Sequence, residues 1–343
     1  MTVVAHLAFI LALTGILCEY GHKFLMNSLY PLYNKLEGYT DKRGIMMHYQ
    51  SVIAKAKNPL FVARAAHRSF KTYQKTKDKK TRDDFLMLIE WIVDRETVKD
   101  SASTWYHDYP YGYHMTPPWA SALTQGAVAM ALYDAYELTG DSKYRSMANG
   151  AINSFLVSIE DGGVTYFEND STWWYEEYAD INGDNPKILN GFMFSLLWIH
   201  DIKIRGKSQT ADLLFRNGVR ALKKHLSAYD TGWWTYYDRL GYLASDSYHK
   251  IHMQLLTKIA KITRDETFKY YSYTWREYSA SFIRRFFINL SRVRLNISQQ
   301  VVVVIYLIIS FVLNRLIFGK FPMRVKRVLR RNTFIARNHQ ESV

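Results

Sequence analysis

Two adjacent carboxylates, Glu176 and Glu177, lie in an aromatic segment of the chain, Trp173–Tyr178. Surface loops normally carry small polar residues, so four rings around two acids stand out. Aromatic rings stack on the faces of sugar rings, and carboxylates take up and release protons. The segment favours a sugar-binding cleft with acid–base chemistry. The alternative is a packed aromatic loop in which both glutamates are merely solvated.

A turn and then a helix follow this acidic segment. The turn contains three residues that interrupt regular structure: Gly183, Asn185 and Pro186. Asn190 then opens an apolar run in which Phe192, Leu196 and Ile199 recur at helical spacing. The pattern predicts a helix whose first turn follows closely on the two carboxylates.

The helix near Asn190 is one of four similar units. Helix openings recur near residues 58, 125, 190 and 254, a period of roughly 65 residues. Each is followed by a polar turn, at residues 75–82, 139–142, 205–209 and 263–266, and then by a second helix. A fixed period with one hairpin per unit indicates that the hairpins bury their faces on one another. The sequence therefore predicts an all-α fold in which about four helical hairpins close into an α/α barrel, or toroid.

The connections between successive hairpins are long and aromatic. They span residues 105–121, 164–187 and 229–249. Each joins a second helix to the next first helix, so all three emerge at the same end of the barrel. Loops longer than about 12–15 residues inside a compact domain are usually functional. We therefore expect these three connections to form a cleft.

The positive charge of the protein is concentrated at its C-terminus. The chain has 343 residues and a formal net charge of +14. Residues from Arg284 onward contain 12 Lys and Arg but a single acid, Glu341, so most of that charge lies there. The rest of the chain is nearly neutral, which argues against nucleic acid as a partner. Cys18 is the only cysteine, which excludes an intramolecular disulfide and a cysteine metal cluster.

An apolar run lies near the N-terminus. Val3–Leu17 is interrupted only by His6 and Thr14, and it is short for a membrane span. We assign residues 1–22 to a signal peptide or N-terminal membrane anchor. A buried helix is the alternative.

A longer apolar run, Val301–Phe318, lies near the C-terminus. Basic residues flank it on both sides and are denser after it. The positive-inside rule predicts a transmembrane helix at residues 299–319 and a basic cytoplasmic tail at residues 320–343. It also places the barrel domain, residues 23–283, outside the cytoplasm. A buried core helix with a basic extension is the alternative.

Several motifs resemble the glucuronyl C5-epimerase family, whose best-known members act on heparan sulfate precursors. They occur in the family's order and close to its spacing, over roughly residues 100–280: Trp119–Gly126, Trp174–Tyr178, Leu189–Leu196, Tyr229–Gly232 with Tyr237 and Asp238, and Tyr248 and His249 with His252, Gln254 and Leu255. The resemblance implies an α/α barrel that holds the active site.

The resemblance also implies site residues. The family's catalytic group falls on Glu177, Tyr178, Tyr237 and Tyr248. The substrate-binding residues we expect are Gln125, Trp174, Asn190, Arg239 and His249. Arg239 is the nearest substitute for a family arginine whose position holds Leu240, and His249 is alternatively structural. Asp246 replaces an aromatic residue of the family. These departures leave the exact uronic acid and any sulfation preference open.

Inversion at C5 of a uronic acid requires removal of a proton next to a carboxylate and its return on the opposite face. Cations or hydrogen-bond donors must hold the charge that develops. Tyrosine ordinarily has a pKa of about 10, roughly three units too high for a base at pH 7. A cation such as Arg239 near Tyr237 would lower that pKa, and Glu177 would serve as a base or hold a tyrosine in position. The chain shows neither a glycine-rich dinucleotide loop nor a phosphate loop, so we expect no cofactor and no metal.

These features predict a membrane-anchored epimerase that acts on glucuronic acid residues in a polysaccharide or glycan. The sequence leaves open whether the protein forms a homodimer. The nearest alternative is a polysaccharide lyase, which would abstract the same proton and then expel the C4 substituent. A third alternative is an inactive glycan-binding protein tethered to the membrane.

Overall fold

Helical hairpins repeat four times along the described chain, as the sequence predicts. The computed structural model describes residues 48–50, 53–56, 58–281, 284–285, 288 and 308–313. The hairpins are α1 (Pro59–Thr76) with α2 (Lys79–Val93), α3 (Ala122–Thr139) with α4 (Ser142–Asn153), α5 (Leu189–Gly206) with α6 (Gln209–His225), and α7 (Asp246–Thr263) with α8 (Glu266–Ala280). All of them belong to one unit, Glu37–Leu290.

A two-residue turn joins the helices within every hairpin. Its first residue adopts a left-handed conformation that ends the first helix: Lys77, Gly140, Lys207 and Arg264. Its second residue caps the next helix by accepting a backbone hydrogen bond: Asp78, Asp141, Ser208 and Asp265. The polar turns predicted from the sequence are confirmed, and this alternation of a left-handed residue with a capping side chain explains them.

The first helices of the four hairpins pack side by side in chain order. α1 contacts α3, α3 contacts α5, and α5 contacts α7, whereas contacts between α7 and α1 are sparse within the described chain. α2, α4, α6 and α8 each pack on their hairpin partner. We call α1, α3, α5 and α7 the inner helices, because they surround the cavity described below.

α3 shows how the sequence permits this packing. Every residue from Ala122 to Ala135 is buried, as expected for a helix with neighbours on several sides. Small residues let those neighbours approach closely. At Gly126, a Cβ atom would lie 2.8 Å from the ring of Trp198 on α5, so glycine is needed where these two helices cross.

Short antiparallel β-hairpins add to the helices, so the described chain is not purely α-helical. The pairs are β1 (His48–Gln50) with β2 (Ile53–Ala56), β3 (Thr97–Lys99) with β4 (Ala102–Thr104), and β5 (Thr165–Asn169) with β6 (Thr172–Tyr175). β5 and β6 pair Thr165 with Tyr175. The strand β6 ends at the two carboxylates, so this hairpin fixes where Glu176 and Glu177 leave the connection.

In the part of the chain that the structure describes, no helix is both long and apolar enough to span a bilayer. The predicted signal peptide or anchor at residues 1–22 and the tail at residues 320–343 lie outside the described residues. So does the predicted span at residues 299–319, apart from residues 308–313, which are helical. The proposed membrane segments and the boundaries of the barrel domain at residues 23 and 283 stay predictions.

Candidate active site

A cavity of about 310 Å³ opens at the N-terminal ends of the inner helices. All four inner helices or their capping residues contribute to its wall: Asn58, Leu60, Phe61 and Arg64 at α1, Ser121 and Leu123 at α3, Asn190, Phe194 and Trp198 at α5, and Tyr248 and Ile251 at α7. The remaining wall comes from the long connections: His107, Tyr109, Tyr111, Trp119, Glu177 and Tyr178. Helix N-termini carry a positive partial charge, so their convergence favours an anionic ligand.

The three long connections meet beside this cavity, as the sequence predicts. The Tyr113 hydroxyl of the first donates to the Asp238 carboxylate of the third at 2.8 Å. The first and second are joined by an antiparallel bridge between Ala120 and Ala179. The backbone N–H of Arg239 in the third donates to the Pro186 carbonyl in the second at 2.9 Å. The three connections are therefore linked to one another by hydrogen bonds.

The two central glutamates are both buried, which rules out the interpretation that they are solvated. Glu176 is fully buried, and its two carboxylate oxygens accept the backbone N–H of Lys187 at 3.1 Å each. Burial raises its pKa to about 8, although the hydrogen bond from Lys187 opposes the rise. Glu176 does not line the cavity. It holds the turn that precedes α5.

Glu177 lines the cavity and is the better placed of the two for proton transfer. Its side chain is 8% exposed, and Oε2 has no hydrogen-bond partner among the described residues. Burial raises its pKa to about 7, while Tyr178 and the positive charge of Arg64 oppose the rise. At Gly191 a Cβ atom would lie 2.0 Å from Oε2, so glycine at the start of α5 makes room for this carboxylate. A carboxyl group that titrates near neutrality suits a general base.

The predicted tyrosines surround Glu177. Tyr178 lines the cavity and stacks on Tyr111, with 5.1 Å between ring centroids. Tyr248 reaches the cavity from the start of α7 and is 38% exposed. Tyr237 contacts Tyr248, with 4.7 Å between ring centroids, but does not line the cavity. The structure thus brings Glu177, Tyr178 and Tyr248 to one space and puts Tyr237 against the ring of Tyr248.

The environment keeps Tyr178 and Tyr237 protonated. Burial raises the pKa of Tyr178 well above its usual value, and the charge of Glu177 raises it further. Burial and Glu177 also raise the pKa of Tyr237. The expectation that a cation near Tyr237 lowers its pKa toward neutrality is therefore wrong. Tyr178 and Tyr237 are suited to donate protons and hydrogen bonds.

Asn190 is the one predicted substrate contact that lines the cavity. It lies in the first turn of α5, and its Oδ1 atom is buried with no hydrogen-bond partner in the described chain. An unsatisfied buried acceptor costs about 1–3 kcal/mol, a penalty that a ligand donor would relieve. α5 begins without a side-chain cap at Ile188.

Two other predicted substrate contacts, Gln125 and Trp174, are occupied in packing and do not line the cavity. Gln125 is fully buried, and its side-chain amide exchanges two 3.0 Å hydrogen bonds with the backbone of Trp105. Trp174 stacks on Phe192 with 3.9 Å between ring centroids. These side chains hold the connections against α3 and α5.

His249 has the structural role that the sequence left as an alternative. It is fully buried, hydrogen-bonds to Thr235 at 2.8 Å and to the carbonyl of Trp275 at 2.9 Å, and stacks on Trp234. Burial lowers its pKa to about 4, so it is neutral at physiological pH. It ties the third connection to the fourth hairpin.

The cation at the cavity is Arg64 rather than the predicted Arg239. The guanidinium of Arg239 donates to the Ala228 carbonyl at 2.9 Å and lies over the ring of Tyr229, away from the cavity. Arg64 is the only Lys or Arg among the described residues that line it. The position of Arg64 in the helical repeat could have identified it as a cavity residue. Arg64 is the sixth residue after the α1 cap, and the same position in the third and fourth hairpins holds Phe194 and Ile251, which also line the cavity.

Comparison with known proteins decides the family. Residues 99–277, just over half of the chain, match the family model "D-glucuronyl C5-epimerase C-terminus". The chain belongs to this family. It is therefore a carbohydrate epimerase by family, which confirms the resemblance inferred from the motifs. The matched segment begins after α2, so Arg64 lies outside it.

Two relatives show how far the similarity of this family member extends. The chain is 36% identical to the D-glucuronyl C5-epimerase of Caenorhabditis elegans over 186 residues, which are 48% of this chain and 29% of that enzyme. The chain thus spans less than a third of the worm enzyme. It is also 33% identical over 237 residues to an uncharacterized protein of Methanocaldococcus jannaschii, covering 64% of this chain and 76% of that protein.

Solved structures support the fold of this C5-epimerase family member. The cellobiose 2-epimerase of Bacillus thermoamylovorans superimposes with a TM-score of 0.52 at 12% sequence identity, covering 78% of this chain and 73% of that chain. The cellobiose 2-epimerase of Spirochaeta thermophila gives the same TM-score at 10% identity, covering 78% and 71%. At such identities the likeness concerns the fold alone, and it agrees with an α/α-barrel architecture.

Proposed function

We propose that the protein inverts C5 of glucuronic acid residues within a polysaccharide or glycan. The observation that carries the proposal is the composition of the cavity. It combines a buried carboxyl group whose pKa is about 7, a cation and protonated tyrosines at the convergence of four helix N-termini. Family membership supports the reaction type. Each component has a role in the removal or return of the proton on C5, the carbon next to the substrate carboxylate.

Glu177 is the proposed base. Its pKa near neutrality leaves a useful fraction ionised at pH 7, and its free Oε2 atom has an unused acceptor position. It takes the C5 proton, and the electron pair from the C–H bond moves toward the substrate carboxylate. Glu177 then becomes neutral, which suits a side chain that is 8% exposed.

Arg64 is proposed to bind the substrate carboxylate. Its guanidinium is the one Lys or Arg side chain on the described cavity wall, and a planar fork of donors matches a carboxylate. The negative charge on that carboxylate increases as C5 loses its proton. A fixed cation therefore stabilises the transition state more than the ground state.

Tyr248 is proposed to return a proton to C5 from the other side of the sugar. It approaches from α7, whereas Glu177 approaches from the connection between β6 and α5. After the transfer, Tyr248 is a phenolate and Glu177 carries the substrate proton. Tyr237 contacts Tyr248 and interacts with Glu177, so it offers a route by which the proton returns and both groups are reset.

Incubation with a glucuronate polymer in heavy water tests this function. An epimerase incorporates deuterium at C5 without breaking the chain. Absorbance from an unsaturated uronate would instead reveal the lyase reaction. Binding of the polymer with no exchange at C5 would show an inactive glycan-binding protein and sink the proposal.

We also propose the membrane topology predicted from the sequence, with the barrel outside the cytoplasm and the basic tail inside. Its support is the apolar run Val301–Phe318 and the density of basic residues after it. Protease added to intact cells should digest the barrel and spare an epitope placed after Arg331. Protection of the barrel would contradict this topology. The homodimer stays a prediction, for which light scattering on the purified protein is the measurement.

A further inference from the structure

A second groove, of about 400 Å³, runs along the fourth hairpin away from the active site. It is lined by Lys250, Met253, Gln254, Thr257, Lys258 and Lys261 of α7 and by Arg276 of α8. Four of these seven residues are cations, and no acidic residue lines the groove. Because the chain before Arg284 is nearly neutral, this is a local concentration of positive charge.

Most of these cations have no acidic partner. Lys250 forms an ion pair with Asp246 at 2.5 Å. Lys258, Lys261 and Arg276 are exposed and form no ion pair among the described residues. Like charges held together on one surface repel one another, so an arrangement without local acids favours an anionic ligand.

The groove and the active-site cavity share one element, helix α7. Ile251 lines the cavity, and Gln254, Lys258 and Lys261 follow it at intervals of three, four and three residues. That spacing keeps all four residues on one face of the helix. At a rise of 1.5 Å per residue, the face extends about 15 Å from Ile251 to Lys261. The cations therefore form a track that leads away from the cavity.

The groove face of α7 is exposed at Gln254, Lys258 and Lys261. α5 packs on one side of α7, and contacts with α1 on the other side are sparse in the described chain. The active-site cavity, at about 310 Å³, lies at the small end of the range for ligand pockets. A polymer that places one sugar at Glu177 must extend beyond it.

We propose that this groove binds the acidic polysaccharide chain on one side of the reacting sugar, through uronate carboxylates spaced along the polymer. The inference rests on the proposed function, since it assigns the same polymer to both sites. Exposed ion pairs each contribute a factor of about 1.5 to 5 in affinity, so three cations together contribute about tenfold. The contribution depends on chain length, because only a long substrate occupies the cavity and the groove together.

The test compares full-length proteins that carry Glu177→Gln, so that binding is measured without turnover. The probes are fluorescent heparosan, an unsulfated glucuronate polymer, and a tetrasaccharide cut from it. Adding Lys258→Gln, Lys261→Gln and Arg276→Gln should weaken polymer binding about tenfold at low salt, reduce its salt dependence, and leave tetrasaccharide binding unchanged. The matched control is Lys71→Gln with Lys75→Gln and Lys79→Gln, three exposed lysines of the first hairpin that form no ion pair in the described chain, and it should bind both probes normally.

Two outcomes would overturn the proposal. One is undiminished polymer binding by the triple variant, and the other is an equal loss in the lysine control. If polymer binding is undiminished and binding to vesicles that contain anionic lipid is lost, the groove is assigned to a membrane surface. Failure of the proposed function is distinguishable from both. It would appear as absent deuterium exchange in the wild-type protein, whatever the binding results.

Discussion

At the scale of single residues, the site depends on one carboxylate being buried in the right place. Glu176 and Glu177 are adjacent in the chain and both are buried, yet only Glu177 faces the cavity. Both residues follow directly on the end of β6 at Tyr175, and the Lys187 backbone N–H holds the Glu176 carboxylate away from the cavity.

Glu177→Gln should reduce the rate of deuterium exchange at C5 by about 10²–10⁴, the usual contribution of a positioned general base. Because the base must be ionised, kcat/KM of the wild type should rise with pH through about 7, and this rise should be absent from the residual activity of the variant. Exchange is followed by NMR from pH 5.5 to 8.5. Glu176→Gln, the adjacent buried carboxylate outside the cavity, is the control and should keep most of the activity. Normal exchange in Glu177→Gln would contradict the assignment.

Arg64→Gln should raise KM for a glucuronate substrate and lower kcat, because the guanidinium is expected to hold the carboxylate in both the ground state and the transition state. It should also move the rise of kcat/KM to higher pH. The positive charge of Arg64 lowers the pKa of Glu177, so its removal raises that pKa. Steady-state kinetics over pH measure both effects.

Lys71→Gln, an exposed cation two turns further along α1, is the control for Arg64 and should change neither KM nor the pH profile. Unchanged kinetics in Arg64→Gln would leave the cavity without a carboxylate-binding cation. The next candidate to examine would then be the predicted Arg239.

Tyr248→Phe should reduce exchange more than Tyr237→Phe, because Tyr248 lines the cavity and Tyr237 does not. The loss for Tyr248→Phe should reach about 10²–10⁴, while folding is preserved because only one oxygen is removed. Tyr166→Phe, on the exposed strand β5, should have little effect. Exchange rates and thermal unfolding of the three variants are the measurements. A larger loss for Tyr237→Phe would mean that Tyr237 is the residue that contacts the sugar.

At the scale of elements, the hairpins share one turn design. Three of the four left-handed turn residues are not glycine: Lys77, Lys207 and Arg264, with φ of 56°, 49° and 55°. The second hairpin has Gly140 at this position, with φ of 73°. A side chain with a Cβ atom is disfavoured in this conformation, whereas glycine adopts it freely.

Lys207→Gly and Arg264→Gly should therefore each stabilise the protein by about 0.5–1 kcal/mol, since relief of the left-handed conformation exceeds the entropy that glycine adds to the unfolded chain. Urea unfolding measures the change. Gly140→Ala is the reciprocal control and should destabilise by a similar amount. Stabilisation by Gly140→Ala would show that turn conformation does not limit stability here.

The hairpins were predictable from the sequence because local chemistry specifies them. Each polar turn pairs a left-handed residue with a capping Asp or Ser, and the 65-residue repeat adds the helical spacing on both sides. The small β-hairpins were not predicted. β3 and β4 have three residues each, and their alternation is too short to be distinguished from a loop.

The candidate site was predictable only in part. Motifs located Glu177, Tyr178, Tyr248 and Asn190, all of which line the cavity. The same motifs also contain Gln125, Trp174 and His249, which the structure uses for packing. A motif records which residue types recur and does not distinguish a side chain that touches substrate from one that supports it. Arg64 was missed because the resemblance covers roughly residues 100–280.

At the scale of the whole molecule, buried titratable groups make stability depend on pH. The pKa of Glu176 is raised from 4.5 to about 8, so between these values the native state holds a proton that the unfolded chain releases. Stability therefore falls as pH rises through this window, by up to about 1.4 kcal/mol per pH unit. Burial lowers the pKa values of His249 and His252 to about 4 and about 3. Below about pH 6.5 the unfolded chain therefore binds protons that these histidines do not bind in the native state, and their contribution to stability rises with pH.

Comparison with Glu176→Gln isolates the contribution of that glutamate. The glutamine does not titrate and keeps an oxygen for the Lys187 backbone N–H. The free energy of unfolding of the Glu176→Gln variant should increase relative to that of the wild type as pH rises from about 5 to about 8. Urea unfolding at each pH measures this difference. Glu160→Gln, an exposed glutamate, should show no such trend. A constant difference between Glu176→Gln and the wild type would refute the buried, protonated state.

The arrangement of the cavity wall has a consequence for where this protein can be cut. The matched family segment, residues 99–277, omits α1 and α2. α1 supplies one side of the cavity and buries Val62, Ala63 and Ala66 in the shared core, in contact with α3. A fragment trimmed to the matched segment would expose apolar surface on α3 and lack a wall of its cavity. The boundary of the matched family segment is therefore not a boundary of independent folding.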